Sequence, residues 1–207
     1  MSDEGSEIRF DDRGLVPCVA QDWATGEVLT LAYMNAEALR LTRESGEVHF
    51  FSRSRDRLWR KGETSGNVLR LRQLRIDCDA DAVVALVEPA GPACHTGERS
   101  CFHRGVDDPS PPDPALHDTL PALERTLESR ARERPQGSYT VELLEDRARI
   151  GEKVREEAEE VARAAAAESD ERVAEEAADV LYHLQVLLTS REVPLAAVLE
   201  TLDARRR

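Results

Sequence analysis

The chain has 207 residues, enough for one large domain or two small ones. Lysine and arginine number 28 against 41 aspartate and glutamate residues, and the formal net charge of −13 argues against nucleic acid as the main partner. The first residues contain neither the basic nor the apolar region of an export signal, and no later stretch approaches the ~18 apolar residues of a membrane span, so we expect a cytoplasmic protein that contacts no membrane.

The first half of the chain consists of short strand-like runs separated by turn residues. Apolar and β-branched runs predict strands at residues 15–20, 28–33, 48–51, 68–76 and 82–87. One helix is predicted from about Ala36 to Ser45, with Asn35 as its N-cap and Gly46 as its stop. These elements predict a small α+β domain, mostly β, at residues 1–104.

The second half changes to helical spacing after a proline-rich segment. Four prolines between residues 109 and 114 exclude regular structure, so residues 105–115 are predicted to be a linker. Apolar spacing predicts helices from about Leu116 to Leu127, at residues 141–167 and 171–191, and a short last one opened by Pro194. Residues 116–207 are therefore predicted to form an all-α helical-bundle domain, whose small core favours dimerisation.

Three aspartates alternate with other residues just after a predicted strand. In an extended segment Asp77, Asp79 and Asp81 would project to one face, where their carboxylates would repel one another without a hard cation. This pattern favours Mg²⁺. The alternative is an acidic surface loop.

Three cysteines in the same region are candidate zinc ligands, namely Cys78, Cys94 and Cys101. A zinc ion with three protein ligands keeps the open position that catalytic sites use. Cys18 lies among small apolar residues and is expected in the core. His95 has three possible roles: a fourth zinc ligand, a structural histidine, or a general base that accepts a proton from water.

A basic, glycine-containing region is a candidate site for a phosphorylated ligand. Its candidate substrate-binding residues are Arg53, Arg55, Trp59, Lys61, Ser65, Gly66 and Asn67. Arginine forks and glycine-exposed amides suit phosphate, and a tryptophan can stack on a base. A solvated basic loop is the alternative.

These motifs resemble phosphoribosyl-AMP cyclohydrolase. The resemblance lies in residues 31–35 (LAYMN), 52–55 (SRSR), 59–67 (WRKGETSGN), 77–81 (DCDAD) and 94–102 (CHTGERSCF). It implies a dimeric enzyme of histidine biosynthesis that uses zinc and magnesium to open the adenine ring of phosphoribosyl-AMP hydrolytically between N1 and C6. It also implies that Cys78 binds zinc from one subunit, that Cys94 and Cys101 come from the other, and that the three aspartates bind magnesium.

Two pairs of acids lie on consecutive predicted helices, Glu157 with Glu160 and Glu176 with Asp179. At ~100° per residue each pair flanks an apolar stripe, and a turn at residues 168–170 would bring equivalent positions together. Four carboxylates beside an apolar seam are costly without a cation, so the pattern favours Mg²⁺ holding a polyphosphate. An ordinary solvated acidic face is the alternative.

The expected stripe on the first of these helices contains Val154, Ala158 and Val161, and Lys153 beside it is a candidate substrate-binding cation. The acidic motifs, with residues 138–140 (SYT) and 177–183 (AADVLYH), resemble phosphoribosyl-ATP pyrophosphohydrolase. That family releases pyrophosphate from phosphoribosyl-ATP, and its product is the substrate of the cyclohydrolase.

The whole chain therefore resembles a bifunctional enzyme of histidine biosynthesis. The resemblance implies small phosphoribosyl-adenine nucleotides as ligands and a homodimer formed through both domains. Two alternatives stay open at this point. The cyclohydrolase is fused to a general nucleoside triphosphate pyrophosphatase, or the chain is a zinc-stabilised binding protein.

Overall fold

The computed structural model describes residues 8–108, 110 and 115–206. The chain divides into two compact units, Met1–Asp113 and Pro114–Arg207. The core of the first unit is built mainly by strands and that of the second by helices. The predicted order, a mostly β domain followed by an all-α domain, is confirmed.

A mixed β-sheet with one helix forms the described part of the first unit. Its elements are β1 (Val16–Asp22), β2 (Val28–Met34), α1 (Ala36–Ser45), β3 (His49–Ser52), β4 (Arg57–Arg60), β5 (Leu69–Ile76) and β6 (Val83–Pro89). The strand order is β4-β3-β2-β1-β6-β5, with β1 and β6 parallel and the other neighbours antiparallel. Because β1 lies between two strands, every second side chain from Val16 onwards is buried.

Cys18 is one of these inward side chains, which confirms the prediction that it belongs to the core. Burial raises the pKa of its thiol to about 12, against a weaker lowering by a backbone hydrogen bond. Cys18 is therefore a neutral, unreactive thiol at physiological pH.

The predicted helix α1 is confirmed together with both of its caps. The side chain of Asn35 accepts a hydrogen bond from the Ala38 amide at 2.8 Å. Gly46 ends the helix at a φ of 70°, where a side chain would be strained. The helix buries Ala38, Leu39 and Thr42 against the sheet core.

Strand β4 lies in the basic, glycine-containing region, for which no strand was predicted. Arg57 and Arg60 at its ends are exposed, whereas Leu58 and Trp59 are half-buried. β4 pairs antiparallel with β3 at the edge of the sheet. Edge strands tolerate exposed charge, so the usual apolar signal is weak there.

The second unit is all-α over its described residues. Its elements are a short 3₁₀ turn (Leu116–Asp118) and helices α2 (Thr119–Glu133), α3 (Tyr139–Glu145), α4 (Arg147–Ala167), α5 (Asp170–Ser190) and α6 (Leu195–Arg205). Leu127, Leu143, Ile150 and Val186 form the core. No helix within the described ranges is both long and apolar enough to cross a membrane.

Two predictions about these helices were wrong. Residues 141–167 are not one helix, because the chain breaks at Asp146, whose side chain accepts from the Arg149 amide at 3.1 Å and caps a new helix. Leu116 does not belong to the apolar stripe of α2, since it lies in the 3₁₀ turn and is 94% exposed. The predicted turn between α4 and α5 is confirmed, with Ser169 as the N-cap of α5.

Candidate active sites

The first unit contains a pocket of about 840 Å³ at the strands β2, β3 and β4 and the loop that follows β4. Among its lining residues are seven of the predicted site residues, namely Arg53, Arg55, Trp59, Lys61, Ser65, Cys94 and His95. The structure therefore brings the basic region beside a candidate zinc ligand and the candidate general base. This arrangement can receive an anionic ligand that has an aromatic part.

Aromatic rings and a cation shape one wall of this pocket. The guanidinium of Arg53 lies 3.7 Å from the centre of the Tyr33 ring, a cation–π contact that holds the arginine over β2. Trp59 packs against the buried Phe50, with 5.3 Å between ring centres. Tyr33 was not among the predicted site residues, although it stands inside the segment that resembles the cyclohydrolase family.

The loop after β4 turns on Gly62, whose φ of 85° lies in the left-handed region. A Cβ atom at this position would lie 2.5 Å from the backbone carbon of Asn67. Asn67 in turn faces Gly91, where a Cβ would lie 2.6 Å from its side-chain oxygen. Gly66 and Asn67 are outside the lining of the pocket, so their role in substrate binding stays a prediction.

Gly62→Ala should lower kcat/KM of the reaction in this pocket by roughly 10- to 100-fold, because the loop must shift to relieve the backbone clash. Gly46→Ala is the matched control, since its φ of 70° imposes similar strain but no atom lies within 4 Å of the added Cβ. The control should lose about 1 kcal/mol of stability and retain its rate. Equal kcat/KM for the two variants would contradict a positioning role of the loop.

The loop from Cys94 to Cys101 is fixed to β2 by hydrogen bonds. The Cys101 amide donates to the Leu29 carbonyl at 2.8 Å, and the hydroxyl of the buried Ser100 donates to the Val28 carbonyl at 2.7 Å. Within the loop, the Cys94 amide donates to the Glu98 carbonyl at 2.9 Å. These contacts set the positions of both thiols before any ligand binds.

The environment of Cys94 favours its thiolate form. The Thr96 hydroxyl, 3.0 Å from the Cys94 sulfur, is the main cause that lowers the pKa of this thiol, and the Cys101 thiol also contributes. The buried Lys61 lies near both thiols, and burial lowers the pKa of its amine. A pair of adjacent thiols, one of them predisposed to ionise, suits a soft divalent metal such as zinc.

The aspartates cluster as predicted, although in a turn rather than in an extended segment. Carboxylate oxygens of Asp77, Asp79 and Asp81 lie within 4.8 Å of one another between β5 and β6, where Ala80 has a φ of 63°. The Asp79 charge is the main cause that raises the pKa of Asp81. A divalent cation would relieve this repulsion.

Cys78 lies in the same exposed turn between β5 and β6, whereas Cys94 and Cys101 belong to the loop attached to β2. In the described parts of the chain, two groups of residues place three possible metal-ligand atoms within 4.8 Å of one another. Neither group contains a cysteine. The chain alone does not bring its three candidate zinc ligands together. The role of Cys78 in the partner subunit's site stays a prediction.

The second unit has an acidic cluster on the hairpin of α4 and α5. Carboxylate oxygens of Glu157, Glu176 and Asp179 lie within 4.8 Å of one another. Glu157 is only 5% exposed and Glu176 only 6%. Burial is the main cause that raises the pKa of Glu176, opposed by Arg172 and reinforced by Glu160.

Glu157 and Glu176 occupy the buried face of their helices rather than its flank, whereas Asp179 is exposed. On α4 the buried residues are Ile150, Glu157 and Ala164, while Ala158 of the expected stripe is exposed. Val154 and Val161 of that stripe are half-buried, so only Ala158 was misplaced, because alanine is weakly apolar and a carboxylate was not expected inside the seam. Glu160 is half-buried, pairs with Arg163 at 3.1 Å and lies outside the three-residue group, although it interacts with Glu176.

Basic side chains neutralise part of the cluster's charge. The Lys153 amine lies 2.8 Å from carboxylate oxygens of both Glu156 and Glu157. Arg172 pairs with Glu176 one helical turn later. The four-residue spacing of Arg172 and Glu176 was visible in the sequence, but it is also the spacing of common surface pairs.

Comparison with known proteins agrees with this arrangement. The family model of phosphoribosyl-AMP cyclohydrolase matches residues 30–103, and that of phosphoribosyl-ATP pyrophosphohydrolase matches residues 120–206. The histidine biosynthesis bifunctional protein HisIE of Bacillus subtilis is 47% identical over 98% of this chain and 96% of its own length. The chain belongs to the HisIE family.

Other HisIE proteins are similar to the same extent. That of Pyrococcus furiosus is 47% identical over 95% of this chain and 93% of its own length. That of Thermus thermophilus is 49% identical over 92% of this chain and 87% of its own length. The similarity therefore extends over both units.

As a member of the HisIE family, the protein is a bifunctional hydrolase of histidine biosynthesis with phosphoribosyl-AMP cyclohydrolase and phosphoribosyl-ATP pyrophosphohydrolase activities. The predicted function is confirmed at this level. The cyclohydrolase match lies within the first unit and the pyrophosphohydrolase match within the second. The matches support neither a general nucleotide pyrophosphatase nor a zinc-stabilised binding protein.

Proposed function

We propose that the first unit opens the ring of phosphoribosyl-AMP at a zinc ion held by Cys94, Cys101 and the partner subunit's Cys78. The two adjacent thiols, of which Cys94 favours its thiolate form, support this assignment. Three thiol ligands suit zinc and leave a position for the reacting molecule. When bound, zinc would supply the Lewis acid that activates the hydrolytic water.

His95 is proposed as the general base for this water. Its exposed side chain lines the pocket, and its Nδ1 lies 3.9 Å from the Cys94 sulfur. An imidazole at the mouth of the pocket can accept the water's proton and return it to the leaving ring nitrogen. Arg53, Arg55 and the loop after β4 would bind the phosphate of the nucleotide.

Magnesium ions are proposed at both acidic clusters. Asp77, Asp79 and Asp81 would hold one in the first unit, since their carboxylate oxygens already lie within 4.8 Å of one another. Hard cations prefer such oxygen donors, whereas the soft thiols select zinc.

In the second unit Glu157, Glu160, Glu176 and Asp179 would hold magnesium against the triphosphate of phosphoribosyl-ATP. Two buried carboxylates whose oxygens lie within 4.8 Å of each other and of a third carboxylate are strongly disfavoured unless cations are near. Lys153, already beside Glu157, is the candidate cation for a phosphate oxygen. The acidic residues would orient the metal, and the metal would bind the scissile phosphoryl group.

A homodimer through both units is proposed. Helix α6 has no buried residue within the described chain, and Leu199 and Leu202 on it are 43% and 55% exposed. In the first unit, Leu31 and Phe102 are also exposed near the cysteine loop. A second copy would cover such apolar side chains and supply Cys78.

The two units are proposed to be independent domains, residues 1–104 and 116–207, joined by the linker 105–115. Residues 109 and 111–114 of this linker lie outside the described part of the chain. Contacts cluster within each unit, and domains with separate cores tolerate cleavage between them.

Cleavage in the linker should therefore leave two folded fragments, each with one reaction. The cut protein should release pyrophosphate from phosphoribosyl-ATP and open phosphoribosyl-AMP at the uncut rates. Circular dichroism of the separated fragments tests folding, and assays of each fragment test activity. A helical fragment that stays unfolded at every concentration would show that the boundary is wrong.

One experiment tests the metal assignments together. Purified protein is depleted of metal, reloaded with zinc, magnesium or both, and given phosphoribosyl-ATP while pyrophosphate release and ring opening are followed. We expect magnesium alone to restore pyrophosphate release and both metals to be needed for ring opening. Full ring opening without zinc would refute the three-cysteine site.

A further inference from the structure

His183 connects the acidic cluster of the second unit to helix α3. It lies on α5, is 5% exposed, and stands one helical turn after Asp179. Its Nδ1 is 2.9 Å from the Asp179 carbonyl oxygen and 3.7 Å from a carboxylate oxygen of Glu157. Its Nε2 is 3.2 Å from the Tyr139 hydroxyl.

The partners of the imidazole determine where its hydrogen lies. A backbone carbonyl can only accept, so Nδ1 donates to Asp179, and the Glu157 carboxylate lies 3.7 Å from the same protonated nitrogen, within range of its bond dipole but beyond hydrogen-bond distance. Nε2 of the singly protonated ring then accepts from the Tyr139 hydroxyl. Tyr139 is itself held, since its ring stacks on Tyr182 with 6.5 Å between centres.

Glu157 therefore has two neighbours that favour its negative charge, the amine of Lys153 and the imidazole of His183, and they differ in how firmly they are held. Lys153 contacts it at 2.8 Å through a flexible side chain that is 24% exposed. The side chain of His183 is 6% exposed and is fixed by Asp179 and Tyr139. If Lys153 turns toward a phosphate group, His183 stays beside the carboxylate.

We propose that His183 is a positioning residue of the pyrophosphohydrolase, which holds Glu157 within ligand distance of Glu176 and Asp179, and that Tyr139 holds the imidazole in turn. This inference rests on the proposed function of the acidic cluster as a metal site. Groups that orient metal ligands without contacting the metal commonly affect its affinity strongly. The role uses the orientation of the Nδ1–H and needs no change in the charge of His183.

The affinity of the acidic cluster for metal tests this role, because substituting a merely structural residue would not change that affinity selectively. In full-length protein with Asp79→Asn and Asp81→Asn, the second-unit cluster is the intact one of the two acidic clusters found among the described residues, and Mn²⁺ binding to it is measured by electron paramagnetic resonance. His183→Leu should weaken Mn²⁺ binding by roughly 10- to 100-fold. Tyr139→Phe should weaken it less, because the Asp179 carbonyl still orients the ring.

Two amide variants of His183 distinguish a role in positioning Glu157 from a role in packing. The side-chain nitrogen of asparagine takes the place of Nδ1, so His183→Asn should restore most of the Mn²⁺ affinity and of pyrophosphate release. The nitrogen of glutamine falls near Nε2, so His183→Gln should not. Equal Mn²⁺ affinity in the Asn and Gln variants would overturn the proposal, even if His183→Leu fails to fold.

Glu157→Gln distinguishes failure of this inference from failure of the metal site. If Glu157→Gln binds Mn²⁺ like the unmutated protein, the acidic cluster is not the metal site and the proposed function fails. If Glu157→Gln loses Mn²⁺ while His183→Leu retains it, only the role of His183 is refuted. Ring opening, measured in chains with the native aspartates, should be unchanged by all His183 variants.

Discussion

Asp179→Asn should nearly abolish pyrophosphate release while ring opening of phosphoribosyl-AMP continues at the unmutated rate. Asparagine keeps the size of the side chain but removes one of the charges that lie within 4.8 Å of one another in the cluster. Loss of a metal ligand removes about 3 kcal/mol or more of transition-state stabilisation, which corresponds to roughly 100-fold in rate. Steady-state assays of both reactions on one preparation measure the effect.

The fold should tolerate this substitution. Asp179 is exposed, and its charge contributes to the raised pKa of Glu176. Removing that charge relieves repulsion, so without divalent cation the variant should unfold at an equal or slightly higher temperature. Glu159→Gln is the matched control, because Glu159 is an exposed residue of α4 outside the cluster. Equal pyrophosphate release by the two variants, or full turnover in excess chelator, would refute the magnesium site.

Cys94→Ser should lose zinc and ring opening together while pyrophosphate release is spared. Cys94 is 6% exposed and its pKa is lowered chiefly by the hydrogen bond from Thr96, whereas a serine hydroxyl does not ionise near neutral pH. With one of three proposed thiols missing, ring opening should fall by roughly 100-fold or more. Metal analysis by mass spectrometry, run beside both assays, gives the stoichiometry.

Cys18→Ser controls for the general effect of placing a hydroxyl in the first unit. Cys18 is fully buried in the core and lies on β1, not in the cysteine loop. This variant should lose about 1 to 3 kcal/mol of stability, because a polar hydroxyl replaces the sulfur in the core and the 3.9 Å contact of the sulfur with the Val19 carbonyl is too long for an oxygen donor, but it should keep its zinc. Unchanged zinc content and ring opening in Cys94→Ser would show that the metal, if any, lies elsewhere.

Local chemistry made part of the fold predictable. The helix α1 could be bounded because Asn35 and Gly46 are caps whose effect does not depend on the rest of the molecule. The edge strand β4 and the break at Asp146 were not predicted from the sequence. The strand depends on its pairing with β3, outside its own apolar pattern. The cap of Asp146 on the amide of Arg149 is as local as that of Asn35, but it lies inside an apolar pattern that continues on both sides of it.

Residue chemistry predicted the candidate sites better than periodicity did. The alternation of Asp77, Asp79 and Asp81 predicted a cluster, and the cluster exists although the backbone turns there. Periodicity misplaced Glu157, because it put this acid on the flank of the apolar stripe whereas the side chain is buried. Tyr33 and His183 were missed, since an aromatic or a histidine on an apolar face usually belongs to the core.

The parallel pairing of β1 with β6 has a consequence for how the protein acquires its structure during synthesis. Cys18 lies opposite Val83, so the central strand pair joins the beginning of the first unit to its end. Such distant contacts form slowly, whereas neighbouring helices such as α4 and α5 pair through a short turn. During synthesis β1 cannot pair with β6 until β6 has left the ribosome. In refolding from denaturant, the helical unit should form its structure first. A kinetic experiment that follows the fluorescence of Trp23 and Trp59, both in the first unit, and far-ultraviolet ellipticity from the helices should therefore resolve two phases, with the tryptophan signal the slower.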